Sequence, residues 1–214
     1  MFKRVVSVFK QKCRWFLCIK RILDIIISLI GIILLSPLFL IIAIGVKLTS
    51  KGQIIFKHKR LGHYGNPIEI YKFRTMVHDA CYVEKYLSPE LIETFKQNYK
   101  LDNDPRLTLF GKFLRKTSMD ELPQFVNVLK GQISIVGPRP IVAKELEKYG
   151  EHANTLLSVK PGLTGLWQIN GRSDTTYEER VIMDIYYINN MCLLLDIKII
   201  AKTILAVFKK RGAY

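Results

Sequence analysis

The sequence predicts an α+β protein that is mainly helical and carries a membrane-entering helical hairpin near its N-terminus. Three observations predict this fold class. Residues 22–48 form an apolar stretch that is long enough to enter a bilayer. Two short runs of β-prone residues follow it and are separated by turn residues. Beyond them, apolar residues recur mainly at helical spacing, and the last such segment, 193–211, is both apolar and basic.

The apolar stretch has basic residues on both sides. No acidic residue precedes Asp24, and none separates Lys47 from Glu69. Because Lys and Arg beside a membrane segment stay in the cytoplasm, a single crossing would place one basic cluster on the wrong side. We therefore predict a re-entrant helical hairpin broken at Ser36-Pro37, since proline cannot donate the i→i−4 hydrogen bond and serine can satisfy a freed backbone group. An ordinary spanning helix with a tolerated proline is the alternative.

The chain has 214 residues and a formal net charge of +15, which calls for an anionic partner. Its positive charge is concentrated beside the apolar stretch, which favours phospholipid headgroups. Nucleic acid is disfavoured because no helix-turn-helix or RNP-like pattern is present. Four scattered cysteines without a CxxC motif indicate neither a zinc site nor a disulfide framework, and are typical of a reducing compartment. We divide the chain into a basic N-terminus with the membrane hairpin, 1–50, and one domain, 51–214.

Local patterns predict the remaining elements in order. Residues 1–21 form a basic, partly amphipathic helix at the membrane interface. The runs 53–60 and 68–74 form a β-hairpin around a glycine- and proline-containing turn. Residues 160–172 form a glycine-punctuated loop with a strand-like centre, and 133–136 a short strand. The segment 193–211 is a helix that lies on the membrane or, alternatively, packs on the core. Helices are also predicted over 80–100 with a restart at Pro89, 108–116, 119–129, 145–157 and 175–190.

Two adjacent carboxylates, Asp120 and Glu121, follow a stretch that contains Arg115 and Lys116. The Ser-x-x-Glu pattern that begins at Ser118 is a capping box, so one interpretation is that these residues only cap a helix. A helix N-terminus flanked by cations also suits a phosphate, and a carboxylate placed there can attack phosphorus. The local pattern leaves both interpretations open.

Three further features could bind phosphate. Two prolines flank Arg139, so its guanidinium could meet a phosphate at low entropic cost; a solvated turn is the alternative. Lys72 and Arg74 alternate along a predicted strand and share one face, aimed at the same site or at solvent. The loop 160–172 combines glycines with Trp167 and Arg172, and could stack a nucleobase and bind its phosphates. Its alternative is a structural turn with Trp167 in the core.

Together these motifs resemble the small monotopic phosphoglycosyltransferases, the bacterial sugar transferases that start glycan assembly on a polyprenyl phosphate. The resemblance covers about residues 20–211, in the order of the family. Each motif alone is weak, but the full set in register is specific. The motifs are KRILD at 20–24, SP at 36–37, YKFRTM at 71–76, DELPQ at 120–124, NVLKG at 127–131, VGPRP at 136–140, PGLTG at 161–165, NGR at 170–172 and DIYY at 184–187.

The resemblance implies transfer of a phospho-sugar from a UDP-sugar to undecaprenyl phosphate, giving undecaprenyl-diphospho-sugar and UMP. It implies that Asp120 and Glu121 are catalytic and hold Mg²⁺, with Asp120 forming an aspartyl-phosphosugar intermediate. It places the anchor among inner-membrane phospholipids and residues 51–214, as the catalytic domain, on the cytoplasmic face. Exposed interfacial helices make a homodimer possible. Exopolysaccharide, capsule and lipopolysaccharide synthesis are the pathways that the resemblance fits. The expected substrate-binding residues are Lys72, Arg74, Arg115, Arg139, Arg172 and Asp184.

Two other function classes remain as alternatives from the sequence. A non-catalytic membrane-surface module would tolerate replacement of Asp120. A membrane-tethered nucleic-acid binder would lose affinity steeply as salt is raised.

Overall fold

The computed structural model describes residues 2–98, 101, 104–170 and 175–208. The described part is mainly helical with a small amount of sheet, which confirms the predicted class at that level. Its helices and strands are α1 Phe2–Thr49, β1 Ile55–Leu61, β2 Pro67–Phe73, α2 Pro89–Asn98, α3 Leu109–Lys116, α4 Gln124–Leu129, β3 Ser134–Val136, α5 Ala153–Leu157, β4 Gly162–Thr164, α6 Leu166–Asn170, α7 Tyr177–Asn189 and α8 Leu193–Phe208, with 3₁₀ turns at His63–Gly65, Val83–Lys85, Met119–Glu121 and Ala143–His152.

Helix α1 runs through both the basic N-terminus and the apolar stretch, with Pro37 inside it. Among the described helices it alone is long and apolar enough to cross a membrane by length and composition, over Trp15–Thr49. The hydroxyl of Ser36 donates to the carbonyl of Ile33 at 2.8 Å, the carbonyl that Pro37 leaves without its usual donor. The predicted hairpin therefore stays a prediction, but the role expected for Ser36 is present.

Polar contacts hold the part of α1 that precedes Pro37 against the rest of the protein. The guanidinium of Arg21 donates to the carbonyl of Val128 at 2.6 Å, at the end of α4. The carboxylate of Asp24, which is 5% exposed, accepts from the backbone N–H of Ile135 in β3 at 2.9 Å. These bonds fix α1 to the two elements that flank the loop of residues 130–133.

Apolar packing holds the part of α1 that follows Pro37. Ile42 and Val46 are buried in one cluster with Phe73 of β2 and Leu114 of α3. Both ends of the apolar stretch thus lie against the same globular part. The opposite face leaves large apolar side chains exposed, among them Ile22, Ile26, Ile30, Ile33, Leu34, Leu40, Ile41, Ile44 and Leu48.

Two small sheets carry the loops that matter below. Strands β1 and β2 form the predicted antiparallel hairpin, with Phe56 opposite Lys72 and Arg60 opposite Ile68. Strands β3 and β4 pair in parallel, and residue 139 follows three positions after β3 ends. The main core lies between these sheets and the helices, and its buried members are Ile70, Val128, Ile133, Ile135, Val136, Tyr187 and Ile199.

The helix predicted over 119–129 is wrong in its first half. Ser118 has a left-handed backbone with φ 57°, which ends the preceding helix, and a 3₁₀ turn follows over Met119–Glu121. Helix α4 begins only after Pro123. Ser118 separates α3 from this turn, and Pro123, which has no N–H to donate, separates the turn from α4. The two carboxylates therefore lie on a short turn between two helices.

Two other predicted elements also differ. Residues 145–157 are not one α-helix, because Gly150 has φ 50° and kinks the 3₁₀ segment Ala143–His152 before α5 begins. Within 160–172 a strand is present, but as β4 at Gly162–Thr164 rather than at the centre, and 166–170 are helical. Helix α8 is confirmed; Ile199 packs in the core, whereas Leu194 and Leu205 remain exposed.

Candidate active site

Asp120 and Glu121 lie on the Met119–Glu121 turn. The interpretation that they only cap a helix is wrong. The side chain of Ser118 makes no capping hydrogen bond, and its left-handed backbone differs from the extended conformation of a capping residue. By contrast, Thr108 does cap its helix, since its side chain accepts from the N–H of Gly111. The acidic pair of the turn is therefore available for another role.

The carboxylate of Asp120 is almost covered, at 7% exposed, but its surroundings are charged. Burial raises the pKa of Asp120 to about 6. The charges of Lys72 and Arg115 oppose this rise, whereas the neighbouring Glu121 adds to it. A buried carboxylate that titrates close to neutral pH between two cations is typical of a catalytic site.

Glu121 is only half-buried and forms an ion pair. The ammonium of Lys72 on β2 donates to its Oε1 at 2.6 Å. Burial by itself would raise the pKa of Glu121, but the charges of Lys72 and Arg139 lower it overall. Glu121 is thus ionised at neutral pH, and it is the carboxylate of the pair that lines the adjoining cleft.

That cleft lies between the β1–β2 hairpin and the loop that follows β3. It encloses about 320 Å³, including the part open to solvent. Three cations from three different elements line it, which makes it suited to a polyanionic ligand. Its lining residues are Arg60, Ile70, Lys72, Glu121, Gln124, Arg139, Pro140, Gly162, Leu163 and Gln168.

Arg139 is exposed at the cleft. Its guanidinium lies over the ring of Trp167, 5.7 Å from the centroid, and that of Arg180 lies 4.7 Å from the same centroid. Trp167 is only 5% exposed, so its ring belongs to the core and supports the two arginines. The structure therefore favours the core interpretation of Trp167 over stacking of a nucleobase.

The other predicted basic residues differ in their position relative to the acidic pair. Arg115 lies by Asp120 and donates to the hydroxyl of Thr75 at 3.1 Å. Arg74 turns away from Lys72 and donates to the hydroxyl and carbonyl oxygens of Ser50, at 2.9 and 2.7 Å, just after α1. Arg172 lies outside the described residues.

A family model described as bacterial sugar transferase matches residues 15–210. This chain belongs to the bacterial sugar transferase family. The resemblance of the motifs is thereby confirmed, and the protein is an enzyme of the transferase class.

Individual relatives agree with this assignment. The exopolysaccharide production protein ExoY of Sinorhizobium fredii is 46% identical over 198 residues, which cover 91% of this chain and 88% of that protein. The undecaprenyl-phosphate galactose phosphotransferase of Salmonella typhimurium is 46% identical over 218 residues, covering 100% of this chain and 45% of that protein. The UDP-glucose:undecaprenyl-phosphate glucose-1-phosphate transferase of Klebsiella pneumoniae is 44% identical over 203 residues, covering 91% and 41%. The transferase spans less than half the length of the latter two.

The acidic pair of the transferase suits a magnesium site that substrate phosphates complete better than a site made only of protein ligands. Within the described residues no cluster of three or more metal-ligating side chains occurs. Mg²⁺ is commonly bound by one or two carboxylates together with substrate phosphates and water, which is a donor set that two adjacent carboxylates can complete. The ion pair with Lys72 is made by Oε1 of Glu121, so Oε2 could serve as a metal ligand.

Asp184 of the transferase is not among the residues that line the cleft. It is fully buried, and its Oδ2 accepts from the hydroxyl of Tyr149 at 2.8 Å. Its Oδ1 has no partner among the described residues. Burial raises the pKa of Asp184 to about 7, although the bond from Tyr149 and the charge of Arg139 oppose this. With no solvent access, this side chain would act on substrate only through its neighbours.

Replacing Asp184 with asparagine should stabilise the transferase more at pH 8 than at pH 5. The folded state holds the proton of Asp184 more tightly than the unfolded chain, whose pKa is near 3.8. The protonated side chain therefore stabilises the folded state fully below pH 3.8. This stabilisation, which amounts to about 4 kcal/mol, is lost as the pH rises towards about 7. Asparagine does not titrate, so the gap in unfolding free energy between variant and wild type should widen across this range.

Chemical unfolding at the two pH values measures that gap. Asp79→Asn is the control, because pairing with Lys85 lowers the pKa of Asp79 to about 2, below the range compared. A gap that stays constant for Asp184→Asn would contradict the prediction.

Sequence reasoning missed Arg60 and Arg180. Arg60 lines the cleft from β1, and Arg180 shares the Trp167 ring with Arg139. Arg60 sits in a run of cations beside the membrane segment, where phospholipid contact accounts for its charge equally well. Only the pairing of β1 with β2 shows that it faces the same space as Lys72.

Proposed function

We propose that this transferase moves a phospho-sugar from a UDP-sugar to undecaprenyl phosphate, giving undecaprenyl-diphospho-sugar and UMP. The observation that carries the proposal is the cleft in which Glu121 meets Lys72, Arg60 and Arg139, directly beside Asp120. Relatives at 44 to 46% identity whose names specify undecaprenyl-phosphate sugar transfer support the two substrates.

The first step is attack by a carboxylate oxygen of Asp120 on the β-phosphorus of the UDP-sugar. A new P–O bond to Asp120 forms while the bond from that phosphorus to the bridging oxygen breaks, and UMP leaves with the electron pair. Lys72 and Arg115 favour the ionised, nucleophilic form of Asp120. Arg139 binds phosphate oxygens and offsets the charge of the transferred group.

The second step restores the carboxylate. A phosphate oxygen of undecaprenyl phosphate attacks the same phosphorus, the bond to Asp120 breaks, and the lipid diphosphate forms. Neither step requires an oxidant or a net proton. Asp120 and Glu121 would hold Mg²⁺ together with the diphosphate. When bound, the ion would neutralise part of the phosphate charge.

The membrane anchor brings the lipid substrate to this site. We propose that α1 enters the cytoplasmic leaflet of the inner membrane as a re-entrant hairpin around Pro37, so that both of its ends face the cytoplasm. Contacts between the same globular part and residues on both sides of Pro37 support this arrangement. Its exposed apolar face would contact acyl chains, and the exposed apolar residues of α8 would lie at the interface.

Release of UMP tests the reaction. The protein in detergent is incubated with a panel of UDP-sugars, first alone and then with undecaprenyl phosphate. We expect UMP in an amount equal to enzyme before lipid is added, with sugar and phosphorus retained on the protein, and turnover afterwards. UMP release that strictly requires both substrates together would rule out the covalent route, and absence of release from every UDP-sugar would rule out the function.

The pH dependence of kcat/KM should follow Asp120. Because the protonated acid cannot attack, kcat/KM should fall about tenfold per pH unit below pH 6. Removing the positive charge of Lys72 should raise the pKa of Asp120, so Lys72→Gln should move this limb to higher pH. Lys57→Gln, at an exposed cation on the same hairpin, should leave it in place. An unmoved limb in Lys72→Gln would assign it to another group.

The hairpin predicts that the residues before and after the apolar stretch 22–48 are on one side of the membrane. Cys18 and Cys81 are exposed on either side of the apolar stretch. Two variants are made, in which Cys18 or Cys81 is the single remaining cysteine. A membrane-impermeant thiol reagent should label neither variant in intact spheroplasts and both variants after permeabilisation. Pro37→Leu should straighten α1 into a span and expose one of the two. Labelling of one site in the protein with Pro37 intact would contradict the hairpin.

A further inference from the structure

Arg60 is a largely buried cation whose ion pair is not needed to connect the segments that it joins. Its side chain is 14% exposed, and Nη1 donates to Oε2 of Glu145 at 3.1 Å. The same oxygen also accepts from the backbone N–H of Val142 at 2.9 Å, so Glu145 is held at the start of its 3₁₀ segment. The connection between these two segments does not need the ion pair, because the N–H of Leu61 already donates to the carbonyl of Ile141 at 2.8 Å.

The cleft beside Arg60 carries more positive than negative charge. Glu145 is engaged by Arg60, and Glu121 is engaged by Lys72 at 2.6 Å. Arg139 forms no hydrogen bond or ion pair with any residue in the described part of the chain. The residues that line the cleft thus include three cations, Arg60, Lys72 and Arg139, and one carboxylate, Glu121. A further anion in this space would be attracted by all three cations.

The pKa values of Arg60 and His58 reflect repulsion between the cations of the cleft. Burial and then the charge of Arg139 lower the pKa of Arg60 to about 10. Burial, with the charges of Arg60 and Lys72, lowers the pKa of His58 to about 4. His58 is therefore neutral at neutral pH, and its Nδ1 lies 3.4 Å from Nη2 of Arg60. A phosphate between Arg60 and Arg139 would relieve the repulsion between the two guanidiniums.

We propose that Arg60 is a further substrate-binding residue, which contacts the diphosphate of the nucleotide sugar from the β1 side of the cleft, opposite Arg139. This inference rests on the proposed function for the identity of the anion. A guanidinium has five N–H donors, so Arg60 can keep Glu145 and still bind a phosphate oxygen. Glu145 acts as the internal counter-ion of Arg60 until substrate arrives.

The test compares Arg60→Gln with Glu145→Gln, which break the same ion pair from opposite sides. Arg60→Gln should raise the KM for the UDP-sugar by about tenfold to a hundredfold, as expected for loss of one charged hydrogen bond. Glu145→Gln should not raise KM, because it leaves Arg60 in place. Lys57→Gln is the matched control, since it removes a cation and an exposed ion pair with Glu69 from the same hairpin. Its KM should equal that of the wild type.

Equal increases of KM in Arg60→Gln and Glu145→Gln would overturn the proposal, because Arg60 would then act only through the ion pair. An unchanged KM in Arg60→Gln would also overturn it. If Arg60→Gln does not fold, as judged by its melting temperature, the double variant Arg60→Gln with Glu145→Gln, which leaves no carboxylate without its partner, is compared with Glu145→Gln alone. Equal KM in these two proteins overturns the proposal. Calorimetric binding of UDP to the same proteins separates the two proposals, since weaker binding to Arg60→Gln supports this one even if no UDP-sugar is turned over.

Discussion

Replacing Asp120 with asparagine is expected to lower the rate of UMP release by at least about 10⁴-fold, as removal of a covalent nucleophile does. The amide cannot form the acyl-phosphate bond, so no phosphosugar should be retained on the protein. Folding should survive, because Asp120 is 7% exposed and a neutral side chain avoids the cost of burying its charge. Rapid-quench measurement of UMP, with mass spectrometry of the intact protein, checks both outcomes.

Two variants make this result specific. Glu121→Gln should slow the reaction but still accumulate the phosphosugar adduct, and Asp79→Asn, in the loop after β2, should behave as wild type. Glu121 lines the cleft, whereas Asp120 is not among its lining residues. An adduct that persists in Asp120→Asn and disappears in Glu121→Gln would therefore reassign the nucleophile to Glu121.

Replacing Asp196 with leucine is expected to destabilise the protein by about 3–5 kcal/mol. Asp196 accepts from Lys20 of α1 at 2.6 Å and from the hydroxyl of Tyr187 at 2.7 Å. The side chains of Lys20 and Asp196 are only 11% and 8% exposed. The substitution leaves a buried ammonium without its counter-ion, where desolvation is not compensated. Denaturant unfolding in detergent micelles measures the loss.

A double replacement gives the control for that prediction. Lys20→Met combined with Asp196→Leu should recover much of the lost stability, because an apolar pair removes the unpaired charge. Glu69→Leu breaks the Lys57–Glu69 pair, whose side chains are 54% and 45% exposed, and should cost less than about 1 kcal/mol. Similar losses in Asp196→Leu and Glu69→Leu would show that α1 is not held to α8 by this contact.

Much of the fold follows from local patterns in the sequence. The long apolar helix follows from hydropathy, and the β1–β2 hairpin from two β-prone runs around a turn. Helix α3 follows from the capping residue Thr108. The prediction failed just after Ser118, whose left-handed backbone is followed by a 3₁₀ turn where the helix 119–129 was expected to begin. A backbone reversal of this kind depends on the packing of the helices on either side of it, which no short window of sequence contains.

The acidic pair and most of the basic motif residues could be identified from the sequence, because the motifs occur in family order. Their relative positions could not. Lys72 and Arg74 alternate along the chain, but one pairs with Glu121 and the other with Ser50. Arg60 belongs to a run of cations beside the membrane segment, and only the folded hairpin places it opposite Arg139.

By itself, the sequence determined that this chain is a membrane-associated sugar transferase with a paired carboxylate, since hydropathy, charge placement and motif order are properties of the chain alone. The tertiary structure decided that Asp120 is nearly covered, that Asp184 is fully buried and does not line the cleft, and that cations from three elements share one space. Burial and the approach of like charges arise from contacts between residues far apart in sequence. Such contacts exist only once α1, the hairpin and the loop after β3 have packed together.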